Sequence, residues 1–317
     1  MKKEAVILLN MGGPNNLSEV EVFLKNMFAD KNILTVKSSL LRKFIGTMIV
    51  FTRTESSQEI YRELGGKSPI VGHTKKLVAK LQERLGEDVL VDFAMRYTPP
   101  FASEVIERLS DEKEIEDIYL IPLYPQYSTT TTKSSIEDFE ESYFQSGGRA
   151  TLHEIKHFFQ NEKYNEAILE NITEALATDK ASDFDIIFSA HGLPQKIVDA
   201  GDVYQQHVQK HVAILSEMMH KRELKFQNIH LAYQSKVGPM KWLTPSLEEK
   251  LHSLENKKVI IVPIAFTIDN SETDFELDIE YREVAEEIGF ETYRVTSCPN
   301  DSDLFVDALQ EIYTKMK

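Results

Sequence analysis

His191 stands where an apolar run gives way to a turn, in the stretch FDIIFSAHGLPQKIVDAGDVY at 184–204. Residues 184–188 read as a strand buried on both faces of a parallel sheet. Gly192 and Pro194 oppose an easy continuation of that strand. In an open α/β sheet, the carboxyl end of a strand is where ligands bind. An imidazole there can serve as a base near neutral pH or as a metal ligand. Taken alone, the more ordinary reading is a structural histidine hydrogen-bonded at a turn. A second group lies in DNSETDFELDIEYREVAEEIG at 269–289. Glu272, Glu276 and Glu280 recur every four residues, which in an α-helix puts three carboxylates along one stripe. Such a stripe is either a solvated acidic face or a ladder of hard oxygen ligands for a divalent cation. Glu272 falls at the helix start, after the apolar run 259–264, so it is expected near the same sheet edge as His191. A base and a carboxylate facing each other suit proton removal coupled to metal delivery.

The elements that must position these groups are legible as apolar runs at 5–9, 89–95, 118–123, 184–188, 229–233, 259–264 and 292–295. Amphipathic stretches such as 74–85, 102–109, 164–176 and 204–219 separate them. Alternation of strand and helix predicts an α/β fold with parallel sheets. The expected strand ends carry Gly or Pro together with aromatic, amide or charged groups: NMGGP at 10–14, RYTPP at 96–100, YPQYS at 124–128 and QSKVGP at 234–239. The opposite loops, 111–117 and 177–183, are charged and lack aromatics. The asymmetry points to one working face. Gly12-Gly13 is not a dinucleotide fingerprint, since G-x-G-x-x-G is absent and Pro14 follows directly. No internal repeat is evident. Residues 40–51, LLRKFIGTMIVF, read either as a core helix or as an apolar lip over a hydrophobic ligand or a membrane surface.

Composition narrows the classes. The 317 residues are 42% hydrophobic and 27% charged, ordinary for a globular chain of one large or two medium domains. A net charge of −15 argues against general affinity for nucleic acid or anionic lipid. The single cysteine, Cys298, excludes an intrachain disulfide and a four-cysteine cluster. A reducing, cytoplasmic setting is expected. The N-terminal apolar run is too short for a signal peptide, and no segment reaches the ~18 apolar residues of a membrane span.

Five blocks together resemble the signatures of the ferrochelatase family: LNMGGP at 9–14, YPQYSTTTT at 124–132, FSAHGLPQKIVDAGDVY at 188–204, QSKVGPMKWL at 234–243 and VPIAFTIDNSETDFELDIEY at 262–281. They occur in order across almost the whole chain. The resemblance implies the chelatase fold: two Rossmann-like domains with parallel sheets flanked by helices, and a porphyrin in the cleft between them. It implies boundaries of 1–158 and 159–301, with a terminal helix, 302–317, packing back on the first domain. It implies insertion of Fe2+ into protoporphyrin IX to form protohaem. By position, His191 and Glu272 match the catalytic pair. Glu276 and Glu280 match the acidic path behind them, the four together being the expected metal ligands. Met11, Arg96, Tyr97, Tyr124, Ser128, Trp242 and Phe266 match porphyrin-binding residues.

The same resemblance implies no required cofactor. Iron and porphyrin are substrates, and no iron–sulfur cluster is expected because the chain ends at Lys317 without the cysteine-bearing extension. Asn270 departs from the pattern, since many members carry a histidine there. Met11 is similar to the protoporphyrin-using branch. The alternatives are a chelatase for coproporphyrin III or another tetrapyrrole and metal pair, or a haem carrier without catalysis. Residues 40–51 are the expected site of any peripheral membrane contact. The chemistry agrees with chelation. A porphyrin must be bent, its two N–H protons accepted and its iron dehydrated. A wall formed by Tyr124, Trp242 and Phe266 could supply the ~1–5 kcal/mol of ring strain from binding energy.

Overall fold

A computed structural model of the chain describes residues 3–111, 115–236, 238 and 240–317. Parts of the stretches read above at 111–117 and 234–243 therefore lie outside the described residues, Val237 and Pro239 of the QSKVGP block among them. The chain divides into two compact units, residues 1–158 with 306–317, and residues 159–305.

The first unit runs β1 (Glu4–Asn10), α1 (Glu19–Ala29), α2 (Ser39–Glu63), α3 (Ile70–Leu85), β2 (Val89–Met95), α4 (Ala102–Asp111), β3 (Asp117–Pro122), a π-helix (Thr129–Lys133), α5 (Ser134–Gln145) and β4 (Thr151–Glu154). The second runs α6 (Glu162–Leu176), β5 (Asp185–His191), α7 (Gln195–Asp199), α8 (Tyr204–Lys221), β6 (Asn228–Gln234), α9 (Leu247–Ser253), β7 (Lys258–Pro263), a second π-helix (Glu272–Glu280), α10 (Tyr281–Glu287) and β8 (Thr292–Val295). The last helix, α11 (Asp303–Met316), groups with the first unit from Val306 onward. There Tyr313 meets Tyr119 edge-on and donates a hydrogen bond to Glu4.

Each unit holds a four-stranded parallel sheet, in the orders β2-β1-β3-β4 and β6-β5-β7-β8. The central strands β1 and β5 are continuous apolar runs because helices cover both their faces. Ala5 to Leu8 and Ile186 to Phe188 are wholly buried. Removing a side chain such as Phe188 would cost about 3–5 kcal/mol. The two sheets share one plan, and in each unit a π-helix follows the strand third in chain order. The sequence shows no such repeat.

Four differences from the sequence reading stand out. The run 184–188 is longer as a strand, because β6 keeps pairing with β5 out to His191 and Gln234. The edge strand β4 carries no apolar run, being short, polar and half-exposed, as sheet edges often are. Residues 40–51 belong to a 25-residue helix, α2, that buries little more than Gly46, Val50 and Tyr61. Leu40 and Phe51 are 81% and 83% exposed, so a core helix is not the right description. The acidic segment 272–280 is a π-helix, not α-helical: Tyr281 N–H bonds the carbonyl of Glu276, five residues back. With slightly more than four residues per turn, the four-residue spacing still keeps the glutamates nearly in line. Among the described residues, no helix is long and apolar enough to cross a membrane.

Candidate active site

In the second unit the residues singled out from the sequence gather at the carboxyl edge of the sheet. His191 ends β5, paired with Gln234 at the end of β6, and Ser189 pairs with Pro263 at the end of β7. The imidazole Nδ1 lies 2.8 Å from the Gly192 carbonyl. A carbonyl only accepts, so Nδ1 carries a proton, and in the neutral imidazole the lone pair sits on Nε2. Tyr204 donates its hydroxyl to the His191 carbonyl at 2.9 Å, and Phe266 meets the imidazole edge-on at 6.3 Å. Trp242 enters through a bridge to Pro194, and Gly192 donates its N–H to Gln234 O at 2.8 Å. A Cβ at Gly192 would sit 2.8 Å from that oxygen and 3.4 Å from the Trp242 ring, so only glycine lets these segments close.

Glu276 is the most constrained of the three glutamates. Its Oε2 accepts from Ser235 Oγ at 2.6 Å and from Gln234 Nε2 at 3.0 Å. Ser189 Oγ donates to Gln234 Oε1 at 2.7 Å, which fixes the way that amide points. Burial pushes the Glu276 carboxyl upward, opposed by the Ser235 hydrogen bond and the nearby His191. The imidazole and this carboxylate therefore share one electrostatic environment. Glu272 is half-buried and accepts from Ser271 Oγ at 3.0 Å, while Glu280 is exposed. Among the described residues no three His, Cys, Asp or Glu side chains gather closely enough to hold a metal ion. The carboxylates form a line running from half-buried to solvent, not a closed cage. Asn270, at the family's histidine position, is buried. Its Oδ1 accepts from the N–H groups of Glu272 and Thr273, and its Nδ2 donates to Ile268 O. It is committed to starting the π-helix.

In the first unit the remaining candidates also follow strand ends: Met11 after β1, Arg96 and Tyr97 after β2, Tyr124 and Ser128 after β3. Met11 is half-buried and packs on the cluster of Val20, Phe23, Leu24 and Tyr97. Gly12, at φ +83°, brings the chain so close to Thr98 that a Cβ would collide with its Oγ1. Tyr124 is buried with its hydroxyl 3.1 Å from Ser135 Oγ. Ser128 is buried and caps the first π-helix, accepting from Thr130 N–H at 3.2 Å. Arg96 donates from Nε to Ser134 Oγ at 3.0 Å and from Nη1 to Asp138 at 3.0 Å, with Asp30 Oδ2 3.5 Å from Nη2. Tyr97 donates to Asp30 Oδ2 at 2.8 Å, and burial, then the Asp30 charge, hold its phenol well above the usual value. Sequence reasoning passes over Asp30, Ser134, Asp138, Ser189, Gln234 and Ser235. Ser189, Gln234 and Ser235 lie inside quoted blocks, but nothing in their spacing marks their partners.

The ferrochelatase family model matches residues 3–317. A curated ferrochelatase of Sulfurimonas denitrificans is 72% identical over 317 residues, covering the whole of both chains. The chain belongs to the ferrochelatase family. Ferrochelatases of Nitratiruptor and of Helicobacter pylori are 54% and 49% identical, spanning 99% of this chain and 100% and 94% of theirs. As a ferrochelatase the chain is a lyase of haem biosynthesis that inserts iron into a porphyrin. Solved structures match at the level of fold alone. SirB from Bacillus subtilis with Fe3+ aligns with a TM-score of 0.58 at 10% identity, covering 100% of this chain and 96% of that one. CbiX, the terminal enzyme of sirohaem biosynthesis in denitrifying bacteria, aligns at 0.53 and 10%, covering 98% and 99%.

Proposed function

We propose that the ferrochelatase substrate is protoporphyrin IX and that His191 takes the protons its ring gives up. Insertion releases two N–H protons for each Fe2+ that enters, and Nε2 takes them one at a time, giving each up to solvent before the next. The observation that carries this reading is the contact between His191 Nδ1 and the Gly192 carbonyl. With Nδ1 tied there, Nε2 of the neutral ring offers a lone pair, and Glu276 stands near enough to stabilise the imidazolium that forms. Glu272, Glu276 and Glu280 supply hard oxygen ligands in succession, suited to an ion that must bind, lose water and move on. Phe266 and Trp242 wall the base, while Met11, Arg96, Tyr97, Tyr124 and Ser128 shape the porphyrin-binding edge of the first unit. The buried pair Tyr124 and Ser128 acts by holding the loop. No further cofactor takes part.

The test is to mix the protein with protoporphyrin IX and Fe2+ under reducing, anaerobic conditions and follow the Soret and Q bands. Conversion to the metalloporphyrin spectrum is expected, faster than with coproporphyrin III. Unchanged free-base bands at protein concentrations that bind the ring would favour a carrier, and faster turnover of coproporphyrin III would replace the substrate.

The exposed face of α2 supports a peripheral contact with an anionic membrane surface on the cytoplasmic side. Leu40, Phe44, Met48 and Phe51 fall on one helical face and are all exposed. Lys37, Arg42, Lys43 and Arg53 flank them, and no acidic residue occurs from 31 to 54 in a chain of net charge −15. A basic, apolar helix face of this kind lies in the membrane interface.

A further inference from the structure

Asp30 is the most completely enclosed carboxylate of the cluster at the end of β2, its side chain 1% exposed. It gathers four partners. Oδ2 accepts from Tyr97 Oη at 2.8 Å and from Ser134 Oγ, and it faces Arg96 Nη2 at 3.5 Å, while Oδ1 accepts from Asn32 N–H at 2.7 Å. Asp138, pushed upward by burial, holds the other arm of Arg96 at 3.0 Å. The guanidinium also lies 5.1 Å from the Tyr97 ring centroid. With Nε on Ser134, this arginine is gripped along all three of its nitrogens, yet its side chain stays 21% exposed.

We infer that Asp30 is a positioning residue for porphyrin binding, acting through Arg96 and the Tyr97 ring on which it rests. The inference rests on the reading of Arg96 as a porphyrin-binding residue. A free arginine side chain carries rotamer entropy that is lost when it is ordered on a ligand. Asp30, with Ser134 relaying to Nε, meets that cost in the folded protein, so the cation is presented already ordered. The buried carboxylate would be unfavourable alone. Its three hydrogen-bond donors and the guanidinium offset the desolvation.

Porphyrin affinity of the full chain, read by fluorescence quenching of protoporphyrin IX, should fall about tenfold in Asp30→Asn and in Arg96→Met. The double variant should bind no worse than Arg96→Met alone, because one residue acts through the other. KM for Fe2+ should not change in Asp30→Asn. If that variant does not fold, Ser134→Ala carries the same cycle, since its hydroxyl bridges Asp30 and Arg96. An equal loss with and without Arg96, or unaltered affinity in a folded Asp30→Asn, would overturn the inference. Unaltered affinity in Arg96→Met would remove the reading of Arg96 and the inference with it.

Discussion

At the scale of single residues, the chemistry is a question of which atoms remain available once the fold is satisfied. His191 spends Nδ1 on a backbone carbonyl and keeps Nε2. Glu276 spends one oxygen on Ser235 and Gln234, and on the proposed reading its other oxygen meets the passing cation. We expect Glu276→Gln to raise KM for Fe2+ about tenfold or more and leave KM for porphyrin nearly unchanged, in steady-state assays with each substrate varied in turn. Equal effects on the two constants would return the acidic line to a solvated helix face. Much of this was legible from sequence, because a histidine at a strand end and glutamates at a fixed spacing are local signals. Asp30 and Gln234 were not. Asp30 and Tyr97 are 67 residues apart, and Glu276 lies 42 from Gln234. Only the fold brings such partners together, and short polar side chains advertise none of it.

At the scale of elements, seven of the eight strands among the described residues announce themselves as apolar runs, and the eighth, β4, is silent because an exposed edge needs no such run. The π-helical winding of 272–280 is hidden for a related reason, since a four-residue repeat suits α and π geometry alike. The helix pair α6 and α8 carries a different consequence. His211 on α8 is fully buried, its Nε2 2.7 Å from Asn165 Oδ1 on α6. Asn165 donates its own Nδ2 to Phe159 O, so its oxygen accepts and His211 holds the proton on Nε2. Burial lowers the His211 pKa from 6.5 to about 3. Unfolded, the same residue takes a second proton below its ordinary value, so the unfolded state gains protons as the pH drops. Stability is full above pH 6.5 and is lost on acidification toward 3. We expect wild type to lose about 2 kcal/mol more than His211→Gln between pH 7 and pH 5 in urea unfolding. Parallel pH profiles for the two proteins would contradict this.

At the scale of the whole molecule, two sheets of identical strand order each bring their candidate residues to the carboxyl edge, although their sequences show no repeat. Topology constrains backbone pairing more than side-chain identity. Charge is also unevenly placed, with the first part of α2, up to residue 54, basic and apolar on an acidic chain. We expect the protein to float with vesicles rich in anionic lipid and the Phe44→Ser, Phe51→Ser double variant to stay behind. Equal flotation of both, or of neither, would leave α2 without that role. The central claim, that His191 is the base of metal insertion, is tested most directly by His191→Ala. Protoporphyrin IX binding and anaerobic Fe2+ insertion are to be measured on the same folded preparation. The account predicts that the ring still binds, while turnover falls to the uncatalysed level. Turnover near that of the unaltered protein would contradict it.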